Sequence, residues 1–511
     1  MIGAARRDAG APFTWLAIFV VASTAGFVLS AAVASGRPIL ASRWSLLWQL
    51  AVWAVAWMVA VVAAFHLPRR TAVVATLVAG TALRLAALAG PPTTSDDLYR
   101  YSWDGRVQVA GIDPYRDAPA SATLAGLREP WLWPDAAGCA AIHRPAGCTR
   151  INRPGQRTIY PPVAEAWFAA VYRIAGVGSR YKAWQVAGLL TELGVLALLP
   201  VTLRRWGRDP RWVALYALCP VPVLEVVNNG HVDGLAVLFL LAALAVVARS
   251  SAASSRRQDG GPGAEPVSGP PAGVGPSRHR EPTARMAGGE PTVLLAGVLI
   301  GAAALVKLYP AVLVLALVGM GTRRWVPVVR AGATAAAVVA LADAEHGARV
   351  GLHVLGYLPG YLSEEHYSTG GRFLLASLGR VPAGSAAAVS ATFVGAACAW
   401  VWWRRPAAPA GAALLLGAVL LAASPVQPWY AVSLVAVATV AGRPWWAGVA
   451  LAGYPYFFAV ILADRHAAGI GEIAYAAALA AAVVGAGIAA RRPLPSDQCV
   501  TSGATSSTRL S

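Results

Sequence analysis

An all-α, polytopic membrane protein is the fold class this sequence predicts, on three observations. Of its 511 residues, 57% are hydrophobic and only 13% are charged, whereas a soluble domain carries about a quarter charged residues. The mean hydropathy is +0.55. The apolar surplus comes in blocks of about 15–25 residues along nearly the whole chain, the length a helix needs to cross a bilayer. A soluble two-domain enzyme is excluded. The formal charge of +18, from 42 Lys plus Arg against 24 Asp plus Glu, would suggest a nucleic-acid partner in a soluble chain. In a membrane chain it reads as arginine collected in short cytoplasmic loops, with no nucleic acid implied.

Each element follows from hydropathy and charge. Arg6 and Arg7 precede an apolar run over 13–34, too long for a cleaved signal peptide and so predicted as a retained signal-anchor helix. Further runs lie at 46–66, 71–90, 183–203, 211–227, 232–248, 292–306, 308–320, 326–342, 384–402, 409–424, 430–442, 444–463 and 470–490. With Arg6 and Arg7 inside, Arg69 and Arg70 also fall inside, and residues 91–160 form a large outer loop. Segment 162–176 is read as re-entrant or interfacial, because a full crossing there would place most later arginines outside. Residues 228–233, 343–383, 424–430 and 464–466 then lie outside, while Arg204, Arg205, Arg208, Arg323, Arg324, Arg404, Arg405, Arg491 and Arg492 lie inside. The prediction is about fourteen spans, within a range of roughly 12–15.

Residues 250–290 are rich in Gly, Pro, Ser and Arg with almost no large apolar side chains, so they are expected to form a disordered cytoplasmic linker. They separate an N-terminal membrane half, 1–249, from a C-terminal half, 291–492. The tail 493–511 reads like the linker. No internal repeat relates the halves.

The outer loop opens with Ser95-Asp96-Asp97, a helix-start signal whose carboxylates suit the positive end of the helix dipole. On that helix Asp97, Tyr101, Asp104 and Gln108 share one face, with Asp96 and Arg100 paired on the next. Gly111 and Asp113-Pro114-Tyr115 end it in a turn. Carboxylates at a membrane exit, interleaved with Tyr99, Tyr101 and Trp103, suit a sugar-handling cleft. Adjacent carboxylates can also divide the roles of general base and hydroxyl-orienting group. A purely capping role for Asp96 and Asp97 is the alternative.

Other polar groups surface on the same predicted side. Arg84, within the third run, must pair or face a cavity. Tyr160-Pro161-Pro162 and Glu165 stand where the loop re-enters the membrane. Asn228, Asn229, His231 and Asp233 precede the sixth run. Lys307, one of only two lysines, sits between two short apolar runs. Glu364, Glu365, His366 and Tyr367 occupy the second large outer loop, and Gln427, Trp429 and Tyr430 another outer tip. Interfacial aromatics and helix caps explain each of these singly; their convergence on one face argues for a site. No motif has metal-ligand spacing, so no metal is assigned; a divalent cation, if required, would meet carboxylates at Asp96 and Asp97. Five Cys are too few for a disulfide framework, but Cys139 and Cys148 in the outer loop are candidates for one bridge. Cys219 and Cys398 read as buried in spans, and Cys499 lies in the tail.

These motifs resemble the bacterial GT-C glycosyltransferases that use polyprenyl-phosphate sugars, especially the family 87-like and alpha-1,6-mannosyltransferase-like membrane enzymes of actinobacteria. The resemblance runs from Ser95-Asp96-Asp97-Leu98-Tyr99-Arg100-Tyr101, Trp103-Asp104-Gly105-Arg106 and Gly111-Ile112-Asp113-Pro114-Tyr115 to Ile159-Tyr160-Pro161-Pro162. It continues in Asn229-Gly230-His231-Val232-Asp233, Lys307-Leu308-Tyr309-Pro310 and Gln427-Pro428-Trp429-Tyr430. It implies a GT-C architecture in the cell membrane, with the active site on the outer face. The implied donor is a polyprenyl-phosphate sugar, most naturally polyprenyl-phosphomannose, and the implied acceptor a cell-envelope glycan or glycolipid. It further implies that an acid of the first outer loop, matched here by Asp96 and Asp97, acts as base in an inverting displacement. Position and charge make Lys307 and Arg84 the candidates for holding the departing phosphate. The rival reading is a transporter or lipid flippase, to which surface-clustered polar groups and missing repeats are less suited; a third is a scaffold subunit without catalysis.

Overall fold

The computed structural model describes residues 11–36, 39, 43–259, 290–320 and 323–491, and its described residues are helical with no strands. Arg6, Arg7, Cys499, residues 260–289 of the predicted linker and the tail from 492 lie outside them. Each predicted apolar run is built on helix. Helices α1 (Ala11–Ser35), α2 (Arg43–His66) and α3 (Arg69–Ala86) are followed within the 91–160 loop by α4 (Asp97–Val109) and α5 (Ala136–Ala141), and then by α6 (Pro162–Ala175) and α7 (Arg180–Arg205). Among the described residues six helices are long and apolar enough to cross a membrane, or seven if the bent pair Pro210–Ala217 and Pro220–Asn228 counts as one. Five more apolar helices there have 10–17 residues, among them Glu290–Ala304, Tyr309–Gly319 and Ala408–Ala423. At about 1.5 Å rise per residue these are shorter than a bilayer core. The predicted fourteen full crossings exceed the long apolar helices among the described residues.

Two boundaries differ from the sequence reading. The helix Asp233–Asp259 continues past residue 249 into the predicted linker, and Trp325–Val350 continues past residue 342 into the predicted loop. Charged residues at a helix end prolong it readily when no Gly or Pro stops it. In the second case the stop is Gly351, at φ +59°.

The outward faces of the long helices are themselves apolar. Val21 and Val28 on α1, and Trp48, Val52 and Val55 on α2, are more than half exposed, as expected of surfaces turned to lipid. Inside, polar ties are few and specific: Ser30 Oγ donates to Leu83 O at 2.9 Å, and Trp57 Nε1 to Leu215 O at 3.2 Å.

The outer-loop unit has its own packing. α4 lies against α6 so closely that a Cβ on Gly105 would stand 2.5 Å from Phe168 O; only glycine fits there. Tyr101 and Phe168 stack at 4.3 Å, and Trp103, Leu124, Leu132 and Ile151 fill a second small core. Cys139 and Cys148 are disulfide-bonded, with Cα atoms 5.8 Å apart.

Candidate functional site

The segment entering α4 is pinned from below. A π-helical turn, Val223–Asn228, ends the bent pair; such turns place an extra residue out of helical register. Asn228 Oδ1 accepts from Thr93 N at 3.1 Å and from Thr93 Oγ1 at 2.5 Å, while Asn229 Oδ1 accepts from Thr93 N and Thr94 N, each at 3.1 Å. Gln185 Nε2 donates to Asn228 O at 2.7 Å and to Gly90 O at 3.0 Å. Gly230, at φ +69°, then turns the chain so that His231 and Asp233 point beneath the pinned segment. Two motifs more than a hundred residues apart thus build one floor.

Above it lies a cavity of about 610 Å³. At its polar end Asp96 and Asp97 are bridged by Asn152, whose Nδ2 donates to Asp96 Oδ1 at 3.1 Å and to Asp97 Oδ1 at 2.6 Å. Tyr160 Oη donates to Asp97 Oδ2 at 3.2 Å. Arg144 Nη2 stands 3.6 Å from Asp96 Oδ2. Burial, and then the Asp97 charge, push the Tyr160 phenol well above its ordinary pKa, so it remains a donor. The Asp96 carboxyl is also raised, although its side chain is 40% exposed. Desolvation in the cavity wall is the main cause and the Asp97 charge the next; Asn152 and Arg144 oppose them.

Lys307 faces the same space. Its Nζ lies 5.2 Å from the Tyr160 ring centre, 5.1 Å from that of Tyr430 and 3.7 Å from Asp233 Oδ2. The two rings hold the ammonium by their faces, and both Asp233 carboxylate oxygens are buried without a hydrogen-bond partner. Tyr160 consequently separates the acid pair from the cation. The apolar part of the lining includes Leu308, Val419, Leu420, Phe457 and Ile461.

The predicted site residues divide into three groups. Asp96, Asp97, Arg100, Tyr160, Lys307, Tyr309, Gln427, Trp429 and Tyr430 line the cavity. Behind them stand Tyr101, Asp104, His231 and Asp233: Tyr101 Oη lies 3.3 Å from His231 Nδ1, and His231 stacks on Trp429 at 4.1 Å. The remainder do not line it. Tyr115 Oη donates to Tyr160 O at 2.7 Å, Arg106 meets Tyr172 and Glu129, Trp103 packs on Trp133, Tyr99 packs on Trp131, and His366 is exposed.

Three readings are corrected. Arg100 pairs with Asp104, Nε lying 2.9 Å from both carboxylate oxygens, and not with Asp96; both pairings are one helical turn, but Asp104 is buried and Asp96 faces the cavity. The cap position of α4 is Asp96, one residue after Ser95, whose Oγ accepts from Asp97 N at 3.3 Å. Arg84 is fully buried away from the cavity with its donors engaged: Nε and Nη2 reach Glu192 Oε2 at 3.0 and 2.7 Å, and Nη1 donates to Gly80 O and Ala217 O. It is a buried charge that is fully paired, and it leaves nothing to offer a phosphate.

Sequence reasoning missed Asn152, Arg153, Gln156 and Tyr361, all of which line the cavity. Arg153 reaches across to the second outer loop, with Nη2 2.5 Å from Glu364 Oε1, and Tyr361 Oη lies 3.0 Å from Tyr430 Oη. No motif spacing announces these loop residues. Among the described residues no group of three or more His, Cys, Asp or Glu is placed to share a metal ion.

Fold and site together define a helical membrane protein whose cavity holds an acid pair, a lysine set apart from it by Tyr160, and an apolar lining. The chain belongs to glycosyltransferase family 87, whose sequence profile matches residues 158–425, and it is accordingly a membrane glycosyltransferase. That assignment decides against the transporter reading. Comparisons with curated proteins and with solved structures return no match. The matched segment carries Tyr160, His231, Asp233 and Lys307; Asp96 and Asp97 precede it.

Proposed function

We propose that the protein transfers a sugar, mannose in the first instance, from a polyprenyl-phosphate donor to a cell-envelope glycan or glycolipid. Transfer takes place at the outer face of the cell membrane, with the N-terminus in the cytoplasm. The observation that carries this reading is that one cavity brings together an acid pair, Tyr160 beside it, a caged lysine on the other side of that ring, and apolar lining. A lipid-phosphate sugar has the matching parts. Its chain suits the apolar lining, its phosphate Lys307, and its sugar the space over Tyr160 between cation and carboxylates.

In this arrangement Asp97 is the general base. Asn152 and Tyr160 each occupy one lone pair on its two oxygens, which fixes the carboxylate and leaves a lone pair for the acceptor hydroxyl. Asp96 and Arg100, one of whose guanidinium nitrogens is buried without a partner, orient the acceptor. The hydroxyl oxygen attacks the anomeric carbon from the Asp97 side, the carbon–phosphate oxygen bond breaks towards Lys307, and the configuration inverts. Charge grows on the leaving phosphate, where a cation fixed in advance by two aromatic rings stabilises it. The two carboxylates at one end and the lysine at the other thus act on opposite faces of one carbon.

Two results are expected. Lys307→Met keeps the stem and removes the charge, and should lower kcat by about 10²–10³-fold, the scale for losing one preorganised electrostatic contact. Unchanged turnover of labelled polyprenyl-phosphomannose would place the phosphate elsewhere. Asp96 accepts from the acceptor hydroxyl most strongly as the anion, and its carboxyl is raised. Activity should therefore fall with decreasing pH already above the ordinary carboxylate range. Arg144→Gln removes a charge that favours the ionised form, so the acid limb of the pH–rate profile should move to still higher pH. A limb that stays in place shows that Asp96 ionisation is not required. Deletion of the gene followed by mass spectrometry of envelope glycolipids tests the sugar: a missing hexose supports mannose, and a missing pentose replaces it.

A further inference from the structure

Under Asp97, a buried imidazole–carboxylate pair, His231 and Glu225, extends away from the cavity, and the transfer chemistry above does not use it. His231 is 1% exposed. Its Nδ1 lies 3.7 Å from Asp97 Oδ2, and its Nε2 lies 3.6 Å from Glu225 Oε2. Nε2 is buried with no hydrogen-bond partner. Glu225 is itself buried within the π-helical turn, accepting from Tyr454 Oη at 2.7 Å and from Asn229 Nδ2 at 3.0 Å. The ring is held flat by Trp429 at 4.1 Å, and Tyr101 Oη sits 3.3 Å from Nδ1. Lys307, which lines the cavity, and the buried Asp233 are paired nearby at 3.7 Å.

We infer that His231 and Glu225 form a proton relay that clears Asp97 after each transfer. The inference rests on Asp97 being the base. A purely structural histidine in this position would be expected to satisfy its second nitrogen, because an unmade buried hydrogen bond is costly. Here that nitrogen instead faces a second carboxylate across a gap that a shift of well under about 1 Å would close, and such contacts commonly tighten only in the substrate complex. The steps balance. The acceptor hydroxyl proton passes to Asp97 Oδ2 as the new glycosidic bond forms. Asp97 passes it to His231 Nδ1, and the proton on His231 Nε2 moves to Glu225 Oε2. His231 stays neutral with its tautomer exchanged, Asp97 is again an anion, and Glu225 holds the proton. Reversal after product leaves returns the proton to water in the refilled cavity and restores the starting tautomer. The relay keeps an uncharged Asp97 from lingering beside the products, where it would favour the back reaction.

The test uses the full-length protein in liposomes, labelled polyprenyl-phosphomannose, and membranes from a strain lacking the gene as acceptor source. His231→Phe preserves a ring stacked on Trp429, and Glu225→Gln keeps the shape and one of the two acceptor oxygens that Tyr454 and Asn229 use. Each should lower kcat by about 10–100-fold, below the general-base range because the base itself remains. Each should leave KM for the donor within about twofold and raise the solvent deuterium isotope effect on kcat, a change that loss of packing alone would not produce. On the wild-type protein, kcat for multiple-turnover transfer in mixed H2O and D2O should give a curved proton inventory, so the inference stays testable even if a variant fails to fold. A linear inventory overturns the relay, as do variants with wild-type kcat and isotope effect. Asp97→Asn in the same assay separates the two failures. If it is inactive while His231→Phe and Glu225→Gln are normal, only the relay falls; if Asp97→Asn is fully active, the base assignment falls with it.

Discussion

Asp97→Asn is expected to reduce transfer by about 10²–10⁴-fold, the range for removing a positioned general base, while the protein inserts and folds normally. The substitution is nearly isosteric, and its carbonyl oxygen still accepts from either Asn152 or Tyr160, which now hold it by hydrogen bonds of 2.6 and 3.2 Å. Only the ability to take a proton is lost. Asp96→Asn is expected to be milder and to act chiefly on KM for the acceptor, since Asp96 is the more exposed carboxylate and lies nearer Arg144. Rates of labelled-mannose transfer from polyprenyl-phosphomannose, measured for both variants beside a thermal unfolding curve in detergent, check the pair. Full activity in the two single variants and in the double variant would remove the acid pair from the mechanism.

The second large effect concerns stability. Glu192→Ala leaves the Arg84 guanidinium charged, buried and without its carboxylate, which is expected to cost about 3–5 kcal/mol, the scale for breaking a buried ion pair from one side. Both side chains are fully buried, and Tyr216 Oη also donates to Glu192 at 2.7 Å. Replacing both charges, as in the Arg84→Met and Glu192→Met double variant, removes the uncompensated charge and should recover much of the loss. Thermal unfolding and the yield of monodisperse protein in detergent measure it. If Arg84→Met instead folds normally and raises donor KM, Arg84 contacts the phosphate after all.

Much of this was legible in the chain, and the remainder was not for physical reasons. Hydropathy located the apolar segments, and run length already sets 46–66, now the candidate span Trp44–His66, apart from 308–320, now the 11-residue Tyr309–Gly319. Composition does not report which of the shorter segments cross. The acid pair, Tyr160, Lys307 and Gln427-Pro428-Trp429-Tyr430 were found because each is a polar or aromatic interruption at the end of an apolar run, and such ends meet at one surface. Helical spacing correctly aligned Asp97, Tyr101, Asp104 and Gln108, but only Asp97 reaches the cavity. Below it the face packs on α6, where Gln108 Nε2 donates to Glu165 Oε2 at 2.8 Å. Periodicity says which residues share a face, not what covers it. Asn152 and Arg153 carried no signal, since their partners are fixed by the fold of an irregular loop. The same holds for Arg84, whose partner lies 108 residues away.

The most direct test of the central claim is transfer by the purified protein in liposomes, supplied with an acceptor glycolipid fraction and polyprenyl-phosphomannose of defined anomeric configuration as the only sugar source. NMR of the product's new linkage reads the outcome. Transfer with the anomeric configuration inverted is the predicted result; a retained configuration, or transfer that requires a nucleotide sugar, contradicts it.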